Sequence, residues 1–307
     1  MKKAQLLPIG GITDTANDSG WRLFGHMNMP TRQPRIVDAA WHLPLADTDR
    51  CWLEATSRRF YGRYPNLEEI WQLMDEVWDD LRCDTESLDQ RVTSFYQHPV
   101  WLLNGLFIEQ HELSLENRRD FTAWVAAQNP RRVADYGGGF GTLGRMIGAA
   151  CPRAAVDIIE PHPHPAAIER AAEAENVRYH AELTGEYDVL IATDVFEHVS
   201  DPLALVVATA RHLRPGGRYL LANCFWPVIK CHLPQTFHFR HSWDAALAAM
   251  GLLPSERVCY GRAVDRQGDL VMKAARLVEK RSRWVFPWID RLPEPIRRRI
   301  VRMVWKA

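Results

Sequence analysis

The sequence predicts an α/β protein, a seven-stranded sheet with helices on both faces, preceded by a mostly helical region. Three observations predict it. Up to about residue 128 the apolar residues recur at helical spacing, whereas beyond it short apolar runs alternate with helical ones. That alternation is the pattern of a parallel sheet covered on both sides. The first such run ends in a glycine-rich turn, Asp135-Tyr136-Gly137-Gly138-Gly139-Phe140-Gly141. A later helix announces its own start, with Asp201 as N-cap and Pro202 at its first position.

Residues 1–45 carry scattered Gly and Pro without a sustained period, so only loops and a short hairpin are expected there. Asn66 followed by Glu69 forms a capping box, after which Ile70, Leu73, Met74, Val77 and Leu81 fall on one helical face. A second helical stretch runs from Thr85 to His111, with Pro99 at a helix start or kink. A third begins at Ser114 as N-cap and stops at Asn129-Pro130. Strands are expected at 131–136, 155–160, 177–181, 187–193 and 217–224, and two more at 255–261 and 269–277. Arg214-Pro215-Gly216-Gly217 is expected to break the helix over 202–213 before the fifth strand. The resulting division is a helical cap over 1–113, a sheet domain over 114–276 and a tail over 277–307.

Composition narrows the classes. With 47% apolar and 25% charged residues, and 38 basic against 38 acidic side chains, the chain is an ordinary globular one whose net charge steers no partner. No stretch approaches the ~18 apolar residues of a membrane span. The six Cys form no C-x-x-C pair, which points to a reduced, cytoplasmic setting. Seven of the twelve Trp precede the glycine turn, either filling helix cores or lining an aromatic pocket. The tail differs: from Arg276 onward ten Lys or Arg face three Asp or Glu, a local net of +7. Ile296, Ile300, Met303 and Val304 share one face of a short basic helix, downstream of Trp284-Val285-Phe286-Pro287-Trp288. Two readings of 281–307 stay open, peripheral contact with an anionic membrane and packing on the protein's own core or a second subunit. Nucleic-acid binding is not expected, because no stacking motif accompanies the charge.

The glycine turn carries two overlapping codes. From Asp135 it reads D-x-G-x-G-x-G, and from Gly139 through Gly141 to Gly144 it reads G-x-G-x-x-G. Both need a tight turn that a ligand can approach closely. A carboxylate entering the turn would repel a pyrophosphate but suits S-adenosylmethionine, which bears a sulfonium and an ammonium and no phosphate. Asp135 therefore favours the sulfonium cofactor, and Gly144 is taken as coincidental. Glu160, ending the second strand, can accept both hydroxyls of a ribose.

Four blocks in order, Asp135–Gly141, Glu160, Tyr187–Pro202 and Leu213–Gly217, resemble class I adenosylmethionine-dependent methyltransferases, with a Rossmann-like sheet. The resemblance covers about residues 115–275 and neither the first 110 residues nor the tail. It implies S-adenosylmethionine bound through Asp135, Gly137, Gly139, Gly141, Glu160 and Asp194, with Glu182 as a candidate adenine contact. Gly138 stands where a Cys is frequent.

Asp194, Glu197 and His198 follow the fourth strand, and His198 suits general-base work because its unperturbed pKa lies near ~6.5. The spacing Asp194-x-x-Glu197-His198 also resembles the acidic cluster of the O-methyltransferase branch acting in ubiquinone biosynthesis. That resemblance implies Asp194, Glu197 and His198 as ligands of a divalent metal, while metal-free relatives carry the Glu-His pair too. A base, a metal ligand and a structural cap all stay open for it. His238 and His241, in the loop before the helix at Ser242, are alternative bases. His162 and His164 have metal-like spacing, but the flanking prolines prevent a shared face and no third ligand is evident. The implied activity is O- or N-methylation of a small-molecule acceptor, such as a sugar, a lipid-linked or a natural-product intermediate. The rival readings are adenosylmethionine chemistry other than methyl transfer, a non-catalytic partner subunit and a nicotinamide-dependent oxidoreductase.

Overall fold

The computed structural model describes residues 42–305. Most of the loop-or-hairpin segment at 1–45, with Trp21 and Trp41, lies outside the described residues.

Five helices come first: α1 (Asp47–Arg59), α2 (Leu67–Asp80), α3 (Gln90–Tyr96), α4 (Pro99–Ile108) and α5 (Glu112–Ala127). The capping box forms as expected, with the Glu69 amide donating to the Asn66 side chain at 2.9 Å and the Asn66 amide to the Glu69 carboxylate at 2.8 Å. Pro99 takes the first position of α4 behind His98 as N-cap. Ser114 is not an N-cap. The helix starts two residues earlier, behind His111, whose ring pairs with the Ser114 hydroxyl at 2.9 Å.

The remaining elements are β1 (Arg132–Tyr136), α6 (Thr142–Ala150), β2 (Ala155–Ile159), α7 (Pro165–Ala172), β3 (Val177–His180), β4 (Tyr187–Thr193), α8 (Pro202–Ala210), β5 (Leu213–Ala222), α9 (Trp243–Met250), β6 (Leu252–Val258), β7 (Gly261–Arg266), α10 (Met272–Ile289) and α11 (Glu294–Val304). Single-turn 3₁₀ helices occupy Phe196–His198 and, in a longer run, Pro234–His241. The sheet order is β3-β2-β1-β4-β5-β7-β6. Its first five strands are parallel, while β7 runs antiparallel to both β5 and β6.

Two expectations about strands are corrected. Arg214-Pro215-Gly216-Gly217 is not what ends the helix expected over 202–213, which already stops at Ala210. It is an irregularity within β5, across which the register to β4 jumps from Tyr187↔Leu213 to Val189↔Arg218. Residues 269–277 are not a strand but the entry to α10. Ala275, Glu279, Ser282 and Ile289 are its buried side, a helical spacing that the short apolar run disguised. The seventh strand is instead Gly261–Arg266, joined to β6 by a tight turn in which Cys259 takes a φ of 50°. The 276/277 division thus falls inside one continuous helix.

Three apolar clusters hold the molecule. Phe121, Trp124, Leu143 and Ile147 cover one sheet face, and Leu203, Val206, Trp243 and Ala275 cover the other. The helices before α5 build their own core around Ile70, Leu103 and Phe95, and this core extends to Phe140, Ala166 and Cys231 of the sheet domain. The cap is therefore seated on the glycine turn. Gly105 of α4 makes that approach: a Cβ there would lie 2.4 Å from the Phe140 Cβ. Below it, Glu109 pairs with both Arg145 of α6 and Arg170 of α7.

Candidate active site

The turn after β1 is built from backbone. The Gly137 amide donates to the Ile159 carbonyl at 2.8 Å, and Gly141 caps α6 with a φ of 76° that an L side chain resists. Glu160 braces the turn by accepting from the Gly139 amide at 3.2 Å, while the Tyr179 hydroxyl donates to the Gly139 carbonyl at 2.9 Å. Burial raises the Glu160 pKa, and the His162 and Gly139 amides oppose that shift.

Asp135 lies beneath the turn rather than in it, with no exposed surface. Burial pushes its pKa up to about 7, and the Arg118 guanidinium and the Gly144 amide offset only part of that cost. Gly138 and Gly144 give it room. A Cβ at Gly138 would sit 2.7 Å from Ile158 Cγ2 and 2.8 Å from the Asp135 carboxylate, and one at Gly144 would sit 2.5 Å from Ile158 Cγ1. Gly144 is thus no coincidence, because it allows α6 to pack closely on β2.

At the end of β4, Asp194 takes a φ of 54° and accepts a hydrogen bond from the Tyr260 hydroxyl at 3.0 Å. Burial raises its pKa to about 6, against the pull of Tyr260 and Arg118. Glu197 is fully buried, and one of its oxygens accepts from the Cys224 amide at 2.7 Å. Burial first, and the neighbouring Asp194 charge second, drive its pKa well above the carboxylate range.

His198 and His232 face each other edge to face, with ring centroids 4.8 Å apart. The Nδ1 of His198 lies 3.1 Å from the Cys231 carbonyl, and that of His232 lies 2.7 Å from the Trp226 carbonyl. A carbonyl only accepts, so both rings carry their proton on Nδ1 and keep a lone pair on Nε2. Burial pulls the His198 pKa down to about 3, with His232 adding to the effect, and burial likewise pulls His232 down to about 4.

Above these groups a cavity opens between cap and sheet. Trp71, Trp101, Phe107 and Ile229 give it apolar walls, and Asp194, His198, His232, Tyr260 and Arg118 supply its polar groups. Among the described Trp residues, Trp71 and Trp101 thus line a pocket, while Trp78 fills the cap core.

The sequence-derived site residues do not all meet, and Asp135, buried beneath the glycine turn, does not line the cavity. Asp194 and His198 line the cavity, and Gly137, Gly139, Gly141 and Glu160 form the adjoining turn. Glu182 is exposed in the stretch between β3 and β4. His238 and His241 do not reach the cavity, which corrects them as alternative bases. They face α10 instead: the Ser282 hydroxyl donates to the His238 carbonyl at 2.9 Å, and the His241 ring lies 3.5 Å from the Asp290 carboxylate at that helix's end. Tyr260 and Arg118 were not singled out from the sequence, each being remote along the chain from Asp194, whereas His232 belongs to the histidine-rich stretch Cys231–His241 in which His238 and His241 were preferred.

The residues present fit a divalent metal, with a changed ligand set. One ligand atom each from Glu197, His198 and His232 lie within 4.8 Å of one another. The second Glu197 oxygen is buried without a partner, and both Nε2 atoms are free to ligate. His232 takes the place of Asp194 in this set, which is defined by the mutual distances of the ligand atoms.

A seven-stranded sheet in this order, with the antiparallel β7 inserted beside β5 and a glycine turn after β1, is the α/β fold of the class I methyltransferases. Residues 134–219 match the methyltransferase domain family. The chain is similar to the ubiquinone biosynthesis O-methyltransferase of Aromatoleum aromaticum, 30% identical over 135 residues, which are 41% of this chain and 57% of that protein. It is also similar to the Thiobacillus denitrificans enzyme of the same name, 30% identical over 132 residues, 39% of this chain and 55% of that one. The match thus spans little more than half the length of these curated relatives. Among solved structures, an O-methyltransferase family protein from Burkholderia thailandensis superposes with a TM-score of 0.46 at 16% identity, covering 66% of this chain and 71% of that one. The 1,6-didemethyltoxoflavin-N1-methyltransferase of the same species gives a TM-score of 0.39 at 18% identity, over 50% and 79% of the two chains.

Proposed function

We propose that this chain transfers a methyl group from S-adenosylmethionine to a small-molecule acceptor held between the helical cap and the ends of β4 and β5. The observation that carries this reading is the adjacency of two sites. The glycine turn braced by Glu160 would take the donor, and it adjoins the cavity: a Cβ at Gly137 would lie 2.4 Å from Val195, the neighbour of the cavity-lining Asp194.

In this reading Glu160 accepts from the ribose hydroxyls, and the turn at Gly137, Gly139 and Gly141 admits the donor against the backbone. Arg118, the one guanidinium lining the cavity among the described residues, offsets an acidic group on donor or acceptor. The acceptor's oxygen or nitrogen attacks the methyl carbon in line with the sulfur, the carbon–sulfur bond breaks, and neutral adenosylhomocysteine leaves. The acceptor must then lose a proton. An imidazole with a pKa of about 3 does not ionise a hydroxyl beforehand, but His198 Nε2 can take the proton as attack builds positive charge on the acceptor. In the alternative, a divalent ion held by Glu197, His198 and His232 would occupy that Nε2 lone pair and supply positive charge that favours an ionised acceptor hydroxyl, in place of His198 as base. The cap walls exclude water and select an acceptor with apolar surface.

The test is calorimetric titration of the purified full chain with S-adenosylhomocysteine and, separately, with NAD. The reading expects binding of the first, lost on Gly139→Val. Binding of NAD without S-adenosylhomocysteine would overturn it in favour of an oxidoreductase.

A further inference from the structure

The C-terminal helices α10 and α11 carry surface that the catalytic reading leaves unused. Along α10 the buried stripe is Ala275, Glu279, Ser282 and Ile289, which packs on the sheet domain. The opposite stripe is Leu277, Lys280, Trp284 and Trp288, spaced at i, i+3, i+7 and i+11 on one helical face. Leu277 is 64% exposed, Trp284 75% and Trp288 68%. Two adjacent tryptophans left this bare are costly in water, since each offers one of the largest apolar surfaces a side chain can bury.

After the turn at Asp290–Pro293, α11 folds back on α10, and its Trp305 ring lies 5.4 Å from the Arg281 guanidinium. None of the α11 residues is buried. Ile296 and Met303 are exposed on it, and Arg299 and Arg302 are exposed beside them. Among the described residues, Lys280, Arg299 and Arg302 enter no ion pair, although the same segment does pair Arg276 and Arg283 with Glu279. Residues 276–307 hold ten basic and three acidic side chains in a chain whose overall net charge is zero. The positive charge is therefore concentrated on the same two helices as the bare tryptophans.

We propose that this helical hairpin docks the protein on an anionic lipid bilayer, lying in the interface without crossing it. Exposed Trp and Leu enter the headgroup layer, where tryptophan partitions well, and the arginines and lysine pair with lipid phosphates. Among the described residues no helix is long and apolar enough to cross a membrane. A nucleic acid would satisfy the charge but leave the aliphatic Leu277, Ile296 and Met303 without a partner. A second copy of the chain would set like charges against each other.

The test is cosedimentation of the full chain with phosphatidylcholine vesicles, with and without phosphatidylglycerol. Binding only to the phosphatidylglycerol vesicles is expected, weakening as salt rises. Arg299→Gln and Arg302→Gln should each lower the partition coefficient about fivefold at low salt. Trp284→Ala with Trp288→Ala should lower it at every salt concentration. All four substitutions are at exposed positions, and S-adenosylhomocysteine affinity serves as the check that each variant is folded. Failure to sediment with the anionic vesicles would overturn the proposal, as would equal binding to the neutral ones. So would a wild-type dimer in solution that the double tryptophan variant converts to monomer.

Discussion

The Tyr260 hydroxyl donates to the Asp194 carboxylate across 3.0 Å, tying the β6–β7 turn to the end of β4. Asp194 sits at a left-handed φ of 54° and lines the cavity, so this bond holds a strained residue in place. Tyr260→Phe should lower stability by about 1.5–3 kcal/mol, the range for a hydrogen bond to a charged group. Donor affinity should fall with it. Chemical denaturation and calorimetry on the same variant check both, and an unchanged affinity would detach Tyr260 from the site.

Gly105→Ala offers a test in which local and tertiary effects have opposite signs. In a helix interior the change should stabilise by about 1 kcal/mol. Here the new methyl meets Phe140 at 2.4 Å, which forces α4 away from the glycine turn. A fall in melting temperature, with weaker S-adenosylhomocysteine binding, is expected. A rise would mean that the cap does not bear on the turn.

Asp135 predicts a pH signature. Its pKa of about 7 in the fold lies above the unfolded value of ~3.9, so between those limits the folded state holds the extra proton. Its contribution to stability is complete below the lower value and is lost as pH rises through the higher one. Asp135→Asn removes that loss. The variant's melting temperature relative to wild type, measured without ligand, should therefore climb from about pH 5 to about pH 8. A flat difference would contradict the buried, protonated carboxyl.

The changed metal set can be separated from the one the sequence suggested. Titrated with Zn²⁺, His232→Ala should bind at least about tenfold more weakly than wild type, whereas Asp194→Asn should be nearly unaffected. The reverse order would restore Asp194 as the ligand.

What the sequence made legible was local. Tyr187–Thr193 forms β4 over the residues expected, because a strand buried on both faces reads as a continuous apolar run. Asp201 caps α8 through the Ala204 amide at 3.0 Å, again a signal contained within four residues. Gly261–Arg266 escaped because three of its six residues are charged, which suggests an exposed loop. Their partners are distant in sequence: Arg262 pairs with Asp244 and Asp265 with Arg218. The candidate site divides in the same way. Asp194 and His198 were visible as a short motif, while His232 enters the site only because the chain after β5 doubles back. His238 and His241 were favoured by the abundance of histidine in their loop, but abundance says nothing about which side of the sheet a loop faces.

The segment after β5 joins two functions at adjacent residues. The Lys230 amide donates to Asp75 of the cap helix α2 at 2.7 Å, and its ammonium pairs with Asp79 of the same helix. The next carbonyl along the chain, that of Cys231, is the one that orients His198. The cap is thereby tied, one residue away, to the carbonyl that orients His198. Lifting α2 by about the length of a hydrogen bond would drag Lys230 with it and withdraw the carbonyl that fixes the imidazole. If the proposed methyl transfer holds, the contact of α2 with Lys230 would tie the orientation of His198 to the position of the cap.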